Sequence, residues 1–277
     1  MNSSMINAMV SMNGMQQKLD LLADNIANVN TVGYKRKEAS FEDLLTNMKQ
    51  QGDAFRQPVR LTPLGFNQGW GSRLTMVQPD MAQGPIQPSD NPYDIAIQGD
   101  ALFEVQTSPD GNRAYTRSGS FQMTLDANGI AQLTTPDGYP VIAQLPDGQE
   151  GPIRLPDGYT LRVQNNGELE GVSRDGFTTV QLGRMKLVQA MKPGVLTPVA
   201  DNLFVVAEGL DREAVVRTVV PGENQEINLM QGYLEQSNVN LTNEMTELMI
   251  VQRAYQMSAR ALTSSDTMMG LANSLRG

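Results

Sequence analysis

The segment Gly232-Tyr233-Leu234-Glu235-Gln236-Ser237-Asn238-Val239-Asn240, with the run that follows it, decides how this chain is read. From Leu241 onward the apolar residues Leu241, Leu248, Tyr255, Leu262 and Met269 stand seven apart, with Met245 and Ala259 offset by four. A heptad period keeps one helical seam facing a partner helix. Helix formers fill the intervening positions and no proline interrupts them. Asn240 suits an N-cap, and Glu244 falls in the first turn, where the helix dipole favours a negative charge. Gln252 and Asp266 occupy offset positions, so the seam is partly polar. Periodicity alone fits a helix packed on its own domain and a helix paired with a neighbour equally well. Glu247 reads as lying off the seam.

The other end of the chain repeats the pattern. Met5, Met12, Leu19 and Ile26 stand seven apart, Met9 and Ala23 are offset by four, and Met15, Leu22 and Val29 form a parallel row. A helix over residues 3–29 would be about 40 Å long. Asn28, Asn30 and Gly33 would end it, since these residues leave helical space at least cost. The basic cluster Tyr34-Lys35-Arg36-Lys37 beside Glu38, Glu42 and Asp43 reads as a solvated face, followed by the apolar set Phe41, Leu44, Leu45 and Met48.

Between the two ends the texture changes twice. Residues 51–92 are rich in Gly, Pro, Gln and Asn, with Pro79, Pro85, Pro88 and Pro92 marking an extended linker. The piece Leu64–Gly71 holds the only tryptophan, Trp70, and reads as a loop or as two short strands. From Tyr93 to about Val220 the period becomes two, with candidate strands at 94–97, 102–107, 114–118, 121–125, 130–134, 161–164, 177–182, 185–188, 203–206 and 214–219. Asx-Gly pairs at Asp110, Asn128, Asp137, Asp147, Asp157, Asn166 and Asp175 supply hairpin turns. Pro-Asp-Gly recurs at Pro136, Pro146 and Pro156. These lone aspartates lack the alternating ligand spacing of a calcium loop, so they read as turn residues.

Composition narrows the function. The chain has 277 residues and a net charge of −9, which argues against nucleic acid and against an anionic membrane surface. No apolar run reaches the ~18 residues of a membrane span. The start Met1-Asn2-Ser3-Ser4-Met5 lacks the features of a cleavable secretory signal, so the chain is expected either to stay in the cytoplasm or to leave by a route that reads no such signal. The absence of cysteine and histidine removes thiol nucleophiles, disulfides, Ser-His pairs and His-built metal sites. An enzyme here would have to run on carboxylates, Lys, Tyr or Ser alone, which lowers the expectation of catalysis.

Three stretches carry a resemblance. Leu22-Ala23-Asp24-Asn25-Ile26-Ala27-Asn28-Val29-Asn30-Thr31-Val32-Gly33-Tyr34-Lys35-Arg36 resembles the N-terminal signature of bacterial flagellar rod and hook proteins. Gly232 to Leu241 and Gln252-Arg253-Ala254-Tyr255-Gln256 resemble the matching C-terminal signature. Asp94-Ile95-Ala96-Ile97-Gln98-Gly99-Asp100 and Ala114-Tyr115-Thr116-Arg117-Ser118-Gly119-Ser120-Phe121 are similar to the middle of the basal-body rod proteins, and Phe41-Glu42-Asp43-Leu44-Leu45 points the same way. Ala101-Leu102 departs from the family's usual Gly-Phe pair, and Met191-Lys192-Pro193-Gly194-Val195-Leu196 from its usual Phe-x-Asn-Pro-x-Gly-Leu. The length and the C-terminal motif favour the distal-rod type over hook and proximal-rod relatives.

The resemblance implies a structural, non-enzymatic subunit of the flagellar basal-body rod that self-assembles through its terminal helices into a hollow axial tube. It implies export by the flagellar apparatus, and partners among copies of the chain and other axial proteins of rod and hook. The expected fold is α+β: residues 1–45 with 228–277 form a coiled-coil-like helical core, 46–92 a linker and 93–227 a β-rich outer domain. Met5, Met12, Leu19, Ile26, Leu241, Leu248, Tyr255, Leu262 and Met269 are the expected assembly interface. Asn25, Asn28, Gly33, Tyr34, Ser237, Asn238, Gln252 and Arg253 are the motif residues. The rival is a secreted carboxylate enzyme or glycan-binding β protein with dimerising helices, which would need facing carboxylates and a raised pKa.

Overall fold

The computed structural model describes residues 2–43, 47–50, 65–68, 72–108, 111–126, 129–199, 202–207, 209–222 and 227–275. The readings for Leu44, Leu45 and Trp70, and for the Asp110 and Asn128 halves of two turns, lie outside these residues. The fold is α+β, with a long helix at each end of a mostly β chain. Helix α1 spans Asn2–Ala27, a single helical turn α2 spans Arg212–Val215, and α3 spans Leu241–Ser274.

The chain divides into two compact units. One comprises Met1–Ile26, Lys37–Gln78 and Leu241–Gly277. It holds α1, α3 and two strand pairs, Lys37–Asp43 with Ser72–Pro79 and Asn47–Gln50 with Gly65–Gln68. The other comprises Ala27–Arg36 and Pro79–Asn240 and is built of β-sheets.

Its largest sheet has six strands in the order Leu196–Val199, Leu203–Val206, Arg113–Thr116, Leu102–Gln106, Leu187–Ala190 and Val216–Val219. Side chains alternate across it as the pleat requires. Phe103, Val105, Ala114 and Leu187 face the main core, whereas Leu102, Tyr115, Val188 and Phe204 face a second cluster with Val215 and Val216. The main core also takes side chains from a five-stranded and a three-stranded sheet, among them Leu133, Ala143, Leu161, Leu169 and Leu182. Phe103 and Phe121 meet edge to face there, with ring centres 5.0 Å apart. Each such fully buried side chain contributes about 1.5–3 kcal/mol.

Two strand readings change. Ala214 and Val215 belong to α2 and the strand starts at Val216, because an Asp211-led helical turn takes the residues before it. Met185 ends the strand Thr179–Met185, and a new one begins at Leu187. Short strands at Ile142–Gln144, Glu150–Pro152, Arg154–Leu155, Glu168–Ser173, Asn228–Gln231 and Tyr233–Glu235 went unread, since their Gly, Pro and charged residues mask the alternation.

The Asx-Gly turns take the left-handed conformation that glycine allows. Gly148 has φ of +77° and its N–H donates to the Leu145 carbonyl at 2.9 Å, with nothing near the place a Cβ would occupy. Conformation alone therefore sets the cost of change. Gly148→Val should lower stability by about 1–2 kcal/mol, while Asp147→Asn should be nearly silent because Asn serves the same turn. Denaturant unfolding of the two variants checks this, and equal losses would show that the aspartate carries a bond of its own.

Candidate functional site

The chain leaves α1 through a turn in which the Thr31 N–H donates to the Asn28 carbonyl (3.2 Å) and the Thr31 hydroxyl to the Asn28 side-chain oxygen (3.1 Å). Gly33 follows with φ of +69°. A Cβ there would stand 2.4 Å from the Ser118 nitrogen, so both conformation and space require glycine. The Gly33 N–H donates to the Glu235 carbonyl at 2.8 Å. That bond ties the N-terminal motif to the C-terminal one.

The next residue but one corrects an expectation. Lys35 is buried, with only 1 % of its side chain exposed, and not part of a solvated face. Its ammonium donates to Glu235 Oε1 at 2.8 Å and to the carbonyls of Ala82 (2.8 Å) and Met81 (3.3 Å). Arg117 approaches the same carboxylate from the middle motif, its Nε donating to Glu235 Oε2 at 2.6 Å. The rest of its guanidinium donates to the carbonyls of Ala101, Ile97 (2.9 Å) and Gly99 (2.7 Å). The Gly84 N–H adds a third bond to Glu235, at 3.0 Å to Oε1. Two glycines make room: a Cβ on Gly84 would lie 2.1 Å from the Gln236 carbonyl oxygen, and one on Gly119 1.7 Å from that of Ile95.

This is a buried triad of two cations and one carboxylate, with the surplus positive charge spread over backbone carbonyls. Such a group is tolerable only when every donor and acceptor is engaged, as here. Burial and then the neighbouring Arg117 charge pull the Lys35 pKa below its usual value, against Glu235, which raises it. Beside the triad, Asn238 accepts the Arg36 N–H at 2.7 Å and donates to the carbonyls of Asp80 and Ala82, both at 3.0 Å. Ser237 is buried and its hydroxyl accepts the Val239 N–H at 3.3 Å.

A second junction lies in the helical unit. Asn25 is fully buried. Its oxygen accepts the Lys37 N–H at 2.9 Å, and its amide donates to the Lys37 carbonyl at 3.0 Å and to Glu244 Oε2 at 3.1 Å. One amide thus joins α1, the strand from Lys37 and the first turn of α3. Lys18 pairs with Glu247, and the Ser258 hydroxyl lies 3.9 Å from the Met15 sulfur. Glu247, read as off the seam, therefore points at α1.

The seam residues are distributed unevenly. Met5, Met12, Leu19 and Ile26 on α1 are half-buried, as are Leu248, Tyr255, Leu262 and Met269 on α3, while Leu241 is exposed. The deepest positions on α3 are instead Glu244 and Val251, one residue before the expected offset row. On α1 they are Gly14, Leu22 and Asn25. Among the motif residues Tyr34 is buried, Asn28 is half-buried, and Gln252 and Arg253 face solvent.

Sequence reasoning missed Lys35, Arg117 and Glu235 as partners. For Arg117 and Glu235 the available signal was a single charged residue inside an otherwise uncharged stretch, whereas Lys35 stands in a basic run that gave none. Glu104 carries the same signal in Leu-Phe-Glu-Val: it is fully buried, with Oε1 accepting from Arg113 (2.9 Å) and Arg212 (2.6 Å) and Oε2 3.2 Å from Lys186. Arg212 also donates to the Tyr115 hydroxyl at 2.6 Å, which fastens α2 to the six-stranded sheet.

The triad generates a test. Glu235→Gln strands two buried cations and should cost about 3–5 kcal/mol. Without that carboxylate the Lys35 pKa falls further. Between this value and the usual 10.5 the unfolded chain holds more protons, so the variant's stability should climb with pH across that window more steeply than the parent's. Chemical denaturation at several alkaline pH values reads the slope; a flat profile would mean Lys35 is not the strained partner.

Comparison with known proteins covers the same segments. The family described as flagella basal body rod protein matches residues 5–35, the flagellar hook protein FlgE/F/G D1 domain matches 96–171, and the flagellar basal body rod FlgEFG protein C-terminal family matches 230–275. The flagellar basal-body rod protein FlgG of Borreliella burgdorferi is 33% identical over 268 residues, which covers 96% of this chain and 95% of the relative. The flagellar hook-basal body complex protein FlhP of Bacillus subtilis is 34% identical over 280 residues, 99% of each chain. FlgG of the same bacterium is 32% identical over 267 residues, 95% of each. The matched segments carry Asn25, Lys35, Arg117, Glu235 and Glu244, and the chain belongs to the flagellar basal-body rod and hook protein family, of the FlgG type.

Proposed function

We infer that this chain is a structural subunit of the flagellar basal-body rod and resides in the flagellar basal body. The observation that carries the reading is the construction of its two ends. The matched terminal segments form long helices, and the Asn25–Glu244 bond joins the base of one to the base of the other. α3 still exposes Met245, Met249, Ile250, Met257, Met268 and Leu271. So many large apolar side chains on one helix are costly in water and favourable in an assembly.

The terminal helices pair in coiled-coil fashion and pack with those of other copies into a hollow axial tube that transmits torque. The β-rich residues 93–227 stand outside the tube. The half-buried rows Met5, Met12, Leu19, Ile26 and Leu248, Tyr255, Leu262, Met269, with Leu241, form the assembly interface. Partners are further copies and other axial proteins of rod and hook, reached through the flagellar export apparatus. The role is mechanical and not catalytic. The carboxylate-enzyme alternative needs a carboxyl held above its usual range. Among the described residues the one carboxyl pulled from its ordinary value in the other direction is Glu150, which its bond from the Lys186 ammonium holds below that range.

Leu248 separates assembly from folding. It sits mid-row, one heptad from Leu241 and Tyr255. Leu248→Glu puts a carboxylate into a contact repeated in every subunit, at a cost of several kcal/mol each, on the order of an unpaired buried charge. The variant should fold its β-rich unit, fail to build rods in electron micrographs and leave cells non-motile. Gln256→Glu, on an exposed face of α3, should swim. Normal rods from the Leu248 variant would remove that row from the interface.

A further inference from the structure

Helix α3 carries a further heptad row whose large apolar residues are exposed. Ile250, Met257, Ser264 and Leu271 stand seven apart, and Ala254, Ala261, Met268 and Leu275 follow four residues behind them. Ile250, Met257, Met268, Leu271 and Leu275 are all more than 60 % exposed. At 3.6 residues per turn this row lies about a quarter of a turn from the row Glu244, Val251 and Ser258, whose first and last members bond to α1. The small Ala254 and Ala261 within it allow a close backbone approach.

The same unit also presents a groove. It is an open trough of about 710 Å³ walled by Met9 and Met12 of α1 and by Tyr255 and Leu262 of α3. Gly14, buried in the interior of α1, lines its floor. A glycine in mid-helix costs about 1 kcal/mol relative to alanine, so a packing reason is needed to keep it there. None of the lining residues is charged. Charge appears at the margins with opposite signs: Asp20 continues the groove face of α1 and is exposed, while Arg253 and Arg260 flank the outer row of α3 and are exposed.

We propose that the outer row of α3 in one copy, led by Met257, seats in the Met9–Met12–Gly14 groove of a second copy. The proposal rests on the rod-subunit reading and adds which surfaces meet. Row and groove are different patches of the same chain, so the contact is head-to-tail: each copy offers its row to one neighbour and its groove to another. Contacts of this kind propagate into open helical arrays, whereas a row-to-row contact would close as a dimer. Methionine on both sides suits a contact repeated at slightly different angles around a tube, because its unbranched side chain adapts to irregular gaps.

The absence of cysteine allows a clean test. Met257→Cys and Met268→Cys mark the row, and Met9→Cys and Met12→Cys mark the groove; each variant carries one thiol, so any disulfide joins two chains. Rods are isolated from cells co-expressing one row and one groove variant and are oxidised. At least one mixed pair should convert to covalent dimer, and neither variant alone should do so. Dimers from a row variant alone would overturn the proposal in favour of a symmetric contact. Intact rods with no mixed dimer from any of the four pairs would also overturn it, while leaving the rod reading standing. The rod reading itself fails if the tagged parent chain is missing from isolated rods.

Discussion

One carboxylate holds three distant parts of this protein in register. Glu235 sits between Lys35 and Arg117 with its side chain almost wholly out of water. A lone carboxylate in such a place is prohibitively costly, and so are two lone cations. The three are stable only together, and only with the carbonyls of Ile97, Gly99, Ala101, Met81 and Ala82 supplying the remaining acceptors. The close-packed glycines at 33, 84 and 119 follow from this, because the backbones must come near enough for each charge to reach its partners. The position of the β-rich unit's first and last segments is therefore an electrostatic decision more than a hydrophobic one.

The Glu104 group repeats the device within the six-stranded sheet. Here two arginines and a lysine surround one carboxylate on the sheet face opposite the main core. The Arg212 guanidinium also lies 5.8 Å from the centre of the Tyr115 ring, so a four-residue helical turn is fastened by charge and ring together. Burial raises the Tyr115 pKa, consistent with a phenol that stays neutral and accepts from Arg212. The two groups share a logic: apolar packing builds each layer, and buried ion pairs specify how the layers are joined.

Much of this was legible in the sequence, and what was not has a physical reason. Both terminal helices were visible because a heptad row survives occasional polar interruptions. The turns at Asp137, Asp147, Asp157 and Asp175 were visible because a positive φ demands glycine, and the structure gives it at Gly138, Gly148, Gly158 and Gly176. The exact phase of α3 was not, since its deepest positions include the polar Glu244, whose place in the first turn already had a reading as a dipole partner. Lys35 was misread because a run of basic residues ordinarily marks solvent, and only the third dimension reveals a partner 200 positions away. The shortest strands escaped for want of enough residues to establish a period.

That sequence separation has a consequence in time. A chain is made from its N-terminus, so Lys35 and Arg117 exist long before Glu235, which comes 118 positions after the arginine. Until then the pocket between them can close only by desolvating two like charges without a counter-ion. The strands Asn228–Gln231 and Tyr233–Glu235, which pair with Ile95–Gln98 and Ile86–Pro88, arrive in the same late stretch as the carboxylate itself. Closing the junction on its ion pairs therefore waits for Glu235 and the two strands beside it, with α3 still to follow.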